Sequence, residues 1–175
     1  MNKKIQAAVA IAVAVLAYVL VTTYPRWSAA KWQEFSSEEG RFSVLMPGVP
    51  AVKTQNLRDT QVAMHMFTAD HASSSFMASY FDSGQSAVPA DSLLDRARDG
   101  SIQNTQGHLI SEEKITVDGY PGRAFKSVAR GNNFVSSRIY LVEGRLYMLM
   151  VVHPENESSD APKFLQSFKL LHAHV

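Results

Sequence analysis

The chain has 175 residues, 46% of them hydrophobic and 19% charged, a size and composition that provide for one core. Lys3, Lys4 and Arg26 account for three of the 17 basic residues and flank an N-terminal apolar run; the remainder is slightly acidic against 16 carboxylates, with no clustered basic surface for nucleic acid. With no cysteine, a disulfide framework, a thiolate metal site and a cysteine nucleophile are all excluded.

The first element is the run Ile5 to Val21, apolar or small throughout except for Gln6. It is longer than the roughly 7–15 residues of a signal-peptide core and reaches the roughly 17–25 that span a bilayer as a helix. It has no polar face, which argues against a buried helix of a soluble core. The reading is a cytoplasmic stub at 1–4, a transmembrane signal anchor at 5–23, a juxtamembrane linker at 24–31 and one exported domain at 32–175. Lys3 and Lys4 place the N-terminus in the cytoplasm, and Tyr24 and Trp27 suit the headgroup region. This implies a single-pass protein of the plasma or inner membrane, its main domain periplasmic or extracellular. Ser28-Ala29-Ala30 leaves a second possibility open, cleavage after Ala30.

Beyond Lys31 the apolar pattern shortens to strand length. Phe42, Val44 and Met46 alternate before Pro47-Gly48-Val49-Pro50, and Ala51 to Leu57 is a second candidate strand. Val62-Ala-Met-His-Met-Phe-Thr68 and Ser75-Phe-Met-Ala-Ser-Tyr-Phe81 follow, joined by a turn over Ala69 to Ser74, and complete an N-terminal meander. The period then changes: Ala90, Leu93, Leu94, Ala97 and Ser101 predict a helix over about Asp91 to Gln103 lying on the sheet, entered at Pro89 and capped by Asp91 or Ser92. Leu109 to Val117, Tyr120 to Val128, Phe134 to Val142 and Arg145 to Val152 form a second meander. Its Asp118-Gly119 and Glu143-Gly144 connections end in glycine, and Asp-Gly suits a type I′ hairpin. Ala161, Phe164, Leu165 and Phe168 predict a closing helix beginning at Ser158 or Ser159. The fold class is α+β, with a largely antiparallel sheet flanked by helices.

Trp32 to Pro50, Gly119-Tyr-Pro-Gly-Arg123, Arg138-Ile-Tyr-Leu141 with Arg145-Leu-Tyr147, and Phe164-Leu-Gln-Ser-Phe-Lys-Leu-Leu171 together resemble the PsbP-like group of small exported domains. The resemblance covers most of residues 32–171 and rests on turns, aromatics and sheet arginines. It implies a central antiparallel sheet flanked by helices, export, and a scaffold or assembly role. No catalytic motif defines the group, so no active site is carried over.

No phosphate loop, nucleophile elbow, zincin pair or dinucleotide fingerprint occurs in the chain. Asp70-His71 with Ser73, Ser74 and Ser75 has the residue types of a hydrolase, but a triad is a matter of geometry, and the stretch reads first as a turn. His65 has no spaced partner for a metal, and His153 reads as a strand terminator. His172-Ala173-His174 is an opportunistic chelating pair at a terminus. Asn156-Glu157-Ser158 fits a glycosylation sequon but reads as a helix start. Glu112 and Glu113 point to opposite faces of one strand, which does not support paired-carboxylate chemistry.

Tyr120, Arg123, Arg138, Tyr140, Arg145 and Tyr147 gather on three neighbouring strands and are the candidate contact surface. Pro121 and Gly122 imply an edge strand or bulge aiming Tyr120 and Arg123 outward. The expected function is a membrane-tethered, non-catalytic interaction or assembly domain with a protein partner and no catalytic, cofactor or metal residues. The alternatives are a small-ligand or metal-binding domain, or an enzyme whose site draws on separated residues such as His65, His71 and Arg138.

Overall fold

A computed structural model describes residues 31–56, 62–84, 87–154 and 160–171. The candidate anchor at 5–23, His172, His174 and the sequon at 156–158 lie outside them. Among the described residues no helix is long and apolar enough to cross a membrane.

The strands are β1 (Trp32–Ser37), β2 (Phe42–Pro47), β3 (Ala51–Asn56), β4 (Ala63–His71), β5 (Ser74–Asp82), β6 (His108–Val117), β7 (Tyr120–Val128), β8 (Phe134–Val142), β9 (Arg145–His153) and β10 (Lys169–Leu170). Helix α1 (Ala90–Asn104) links β5 to β6, and α2 (Asp160–Gln166) lies between β9 and β10. The strands form two antiparallel sheets, β1-β2-β10 and β3-β4-β5-β9-β8-β7-β6. The first meander therefore loses β2 to the smaller sheet, where it pairs with β1 and with β10 from the far end of the chain. β5 then pairs with β9 and joins the two meanders into one seven-stranded sheet.

Side-chain alternation along the large sheet supplies two cores. Met64, Met77, Phe125, Ile139 and Met148 face α1 and pack with its Leu94 and Ala97. Phe67, Tyr80, Tyr140, Tyr147 and Leu149 face the other way, against Phe42 and Val44 of β2, Phe164 and Leu165 of α2, and Phe168. Phe42 is the hub of this second core, with Phe67, Tyr80, Tyr147 and Phe168 at ring distances of 5.7–6.2 Å.

The turn between β4 and β5 narrows to Ala72 and Ser73, because both strands run further than the apolar pattern alone marks. Asp118-Gly119 and Glu143-Gly144 both have two positive φ angles, 48° and 83° and then 49° and 81°, as a type I′ turn requires. Helix α1 has Pro89 at its N-cap with no side-chain hydrogen bond, so neither Asp91 nor Ser92 caps it. The Asp91 carboxylate is engaged instead by Arg123 and Lys114. The face of α1 turned to the sheet is narrow and small, with Leu94, Ala97, Gly100 and Ser101 buried.

Candidate functional site

Arg123 and Arg138 illustrate how alternation sorts the predicted contact residues. Arg123 is paired with Ile139 and Arg138 with Ala124 in the β7–β8 ladder, which puts the two arginines on opposite faces of the sheet. Arg123 lies under α1 with its side chain 4% exposed. Its guanidinium donates to Asp91 at 2.7 Å and Asp95 at 3.3 Å, and its Nε lies 3.3 Å from Glu112. Burial alone would lower its pKa, but the hydrogen bonds and charges of Asp91 and Asp95 win and raise it. Arg98 on α1 reaches the same Glu112 at 2.6 Å. These contacts tie α1 to β6 and β7.

Tyr140 and Tyr147 are directly opposite one another on β8 and β9, as their spacing predicts, but the face they share is covered by the smaller sheet and by Phe168. Tyr140 stacks on Phe168 at 5.3 Å, and Tyr147 donates its hydroxyl to the Gly40 carbonyl at 2.7 Å. Burial pushes the pKa of both hydroxyls up, against the opposing influence of Arg138 on Tyr140 and of Arg145 on Tyr147. Arg145 grips Asp82 at 2.6 and 3.0 Å and sits over the Tyr80 ring at 4.7 Å. Tyr120 donates to Glu143 at 3.0 Å, and that contact raises its pKa. The six residues therefore do not form one exposed patch: Arg123 is below α1, Tyr140 and Tyr147 are in the opposite core, and Arg145 and Tyr120 hold local pairs.

The expected bulge at Pro121 and Gly122 is also corrected. Their pairing with Thr116 and Ile115 is regular, and the register shift lies in β6 between Leu109 and Ser111. Pro121 is accommodated because the β7–β8 ladder begins one residue later, at Gly122 opposite Tyr140. At Gly122 a Cβ would stand 2.5 Å from the Ile139 carbonyl oxygen and 2.6 Å from the Tyr140 ring, so glycine lets that ring lie close to β7.

Of the six, Arg138 alone lines a cleft beside α2. This cleft of about 840 Å³ lies between α2 and the part of the sheet that the three-stranded sheet leaves uncovered. Ser111, Glu113, Ala124, Lys126, Ser136 and Arg138 come from the sheet side, and Ala161, Pro162, Leu165 and Gln166 from α2. Lys126 is opposite Ser111 on one neighbour and Ser136 on the other, while Arg138 is opposite Ala124. Lys126 and Arg138 are thus diagonal neighbours on one face, a spacing of about 7–8 Å. Lys126, Ser111 and Ser136 were not singled out in sequence. The signal was present in the alternation of Gly122, Ala124 and Lys126, but its meaning depends on knowing that β8 lies alongside in this register.

The histidines are dispersed. His65 stacks on Tyr80 at 4.6 Å and contacts the Thr54 hydroxyl at 3.2 Å. His71 meets Trp32 edge-on and lies 3.9 Å from Asp160. His153 contacts the Ser136 hydroxyl at 3.2 Å. Asp70 accepts from Ser75 at 2.6 Å, whereas the adjacent His71 turns to the other face, so Asp70, His71 and the nearby serines do not align as a triad. His65 and His71 are on β4 and Arg138 on β8, with β5 and β9 between them. Among the described residues no group of three His, Asp or Glu side chains is placed to hold a metal ion.

No family model matches the chain, and no curated protein matches it in sequence. Its fold is similar to that of cyanobacterial PsbP (CyanoP) from Synechocystis sp. PCC 6803, with a TM-score of 0.55 and 14% identity over 86% of this chain and 98% of that one. A protein of unknown function from Pseudomonas aeruginosa, PA94, matches with a TM-score of 0.42 and 12% identity, over 70% of this chain and 82% of that one. The chain has a PsbP-like α+β fold.

Proposed function

We propose that the protein is a membrane-tethered, non-catalytic interaction or assembly domain that docks a protein partner along the free edge of β6. The apolar run at 5–23 supplies the tether, holding the N-terminus in the cytoplasm and the domain on the exported side of the plasma or inner membrane. The observation that carries the docking reading is the edge itself. Among the described residues β6 is the last strand of the large sheet, ten residues long and exposed along most of its length. Leu109 and Ile110 are 42% and 47% exposed, and Ile110 has no residue opposite it on β7. An unpaired strand edge offers a row of backbone donors and acceptors to an incoming strand, and apolar side chains beside it add affinity. Glu113, also exposed, restricts which strand can pair there.

A photo-crosslinking residue at position 110 of the full-length protein, irradiated in its native membrane, tests this. One discrete adduct is expected, reduced by Leu109→Asp and absent from the same probe at Val52, on the opposite edge strand β3. No discrete adduct at 110, or the same adducts at both positions, would overturn the reading.

A further inference from the structure

We propose that the cleft beside α2 is a binding site for a small anion with an apolar body, an oxyanion head on a short hydrocarbon moiety. This does not depend on the strand-edge reading: Ser111 and Glu113 of β6 border both surfaces, but the cleft needs no protein partner.

The head is specified by charge. Among the described residues neither Lys126 nor Arg138 is within ion-pair distance of a carboxylate, whereas Arg98 and Arg123 each meet three acids and Arg145 pairs with Asp82. The other acidic side chain at the cleft margin, Glu112, is turned to Arg98 and Arg123 on the far face, which leaves Glu113 at the rim. Among the described lining residues, two unpaired cations against one unpaired carboxylate leave the cleft positive. Their diagonal spacing of about 7–8 Å is bridged by two long side chains converging on one oxyanion.

The apolar body is specified by the opposite wall, Ala161, Pro162 and Leu165 of α2, facing the small floor residue Ala124. A volume of about 840 Å³ lies within the range of small-ligand sites, roughly 300–1,000 Å³. Such sites pair an apolar lining with a few convergent polar groups.

The test is calorimetric titration of the full chain, held in nanodiscs of phosphatidylcholine, with hexanoate, hexyl phosphate, hexanol and hexylammonium as probes. Both anions are expected to saturate one site, more tightly than butyrate or butyl phosphate and more weakly as salt rises. Hexanol and hexylammonium are expected not to saturate it. Lys126→Gln and Arg138→Gln each weaken binding about tenfold, and the double variant loses it while keeping its circular dichroism and melting temperature. Nanodiscs containing phosphatidylglycerol separate two sources of the head: competition with hexyl phosphate identifies a membrane lipid, and its absence a soluble ligand. Equal binding of hexanol and hexanoate, or undiminished anion binding by the folded double variant, would overturn the proposal.

Discussion

The two faces of the seven-stranded sheet treat their charges in opposite ways. Under α1, Arg123 is enclosed by Asp91, Asp95 and Glu112 and holds a helix in place. On the other face, Arg138 is half-buried beside a cleft and belongs to no ion pair among the described residues, while the two tyrosines nearest it are packed into the core. Both arginines are in neighbouring strands, and in sequence they look alike. What separates them is strand alternation combined with what covers each face: acidic α1 lies over one, and the smaller sheet and apolar α2 cover only part of the other. A charge neutralised by its own chain works on the fold, and one left open remains for something else.

The strongest way to break this contrast is to remove each arginine in turn. Arg123→Ala leaves three carboxylates together without their shared cation and empties a buried position. The loss expected is about 2–3 kcal/mol, below the usual cost of breaking a fully buried pair because Asp91 and Asp95 are partly exposed to solvent screening. Arg138→Ala is expected to cost no more than about 0.5 kcal/mol. Urea unfolding of both variants measures the difference, and equal losses would show that the two faces are not divided as described.

A smaller effect locates the boundary between the covered and open parts of the second face. Gly122 and Ala124 are two residues apart on β7 and point the same way, but Gly122 lies under the Tyr140 ring and Ala124 forms the cleft floor. Gly122→Ala forces a Cβ to within 2.5 Å of the Ile139 carbonyl oxygen and is expected to cost about 1–3 kcal/mol. Ala124→Ser should stay within about 0.5 kcal/mol by the same unfolding measurement. A costly Ala124→Ser would mean that the floor is packed rather than open.

The sequence was most readable where contacts are local. The four-strand run from β6 to β9, its two glycine-ended turns and α1 all follow from apolar period and turn chemistry over neighbouring residues. β1 and β10 were not legible as strands, because each is specified by β2 rather than by its own pattern, and β10 has only two residues. For the same reason Tyr140 and Tyr147 could be placed on a common face but not recognised as buried: the cover comes from Phe42 and Phe168, far off in the chain. Arg138 was the one contact candidate to reach the cleft, and its neighbours Lys126 and Ser136 became visible only with the β7–β8 register. The α2 wall depends on a helix whose docking no local pattern encodes.

The smallest effect compares the acids on the two sides in their response to pH. Asp82 has its pKa lowered, first by its hydrogen bonds from Arg145 and then by the nearby positive charge, against a partial opposing cost of burial. A carboxyl depressed in the folded state binds fewer protons than it does unfolded, so its contribution is fully present above the unfolded value of 3.8 and disappears as pH falls through the folded value. Asp91 is depressed too, first through its hydrogen bond from Arg123, so acid loosens α1 in the same direction. Asp82→Asn should therefore lower stability at pH 6 and make a progressively smaller difference as pH falls below 3.8, flattening the acid limb of the stability curve. Asp82 is 65% exposed, so solvent screening limits the change to about 0.5 kcal/mol. Asp91→Asn should flatten the same limb and in addition weaken the hold of Arg123 on α1, visible as faster amide exchange along the helix. Asp82→Asn should leave that exchange unchanged. If both variants loosened α1 equally, the ion cluster at the helix and the Arg145 pair at the rim would be one coupled network, and the two faces would no longer be electrostatically separate.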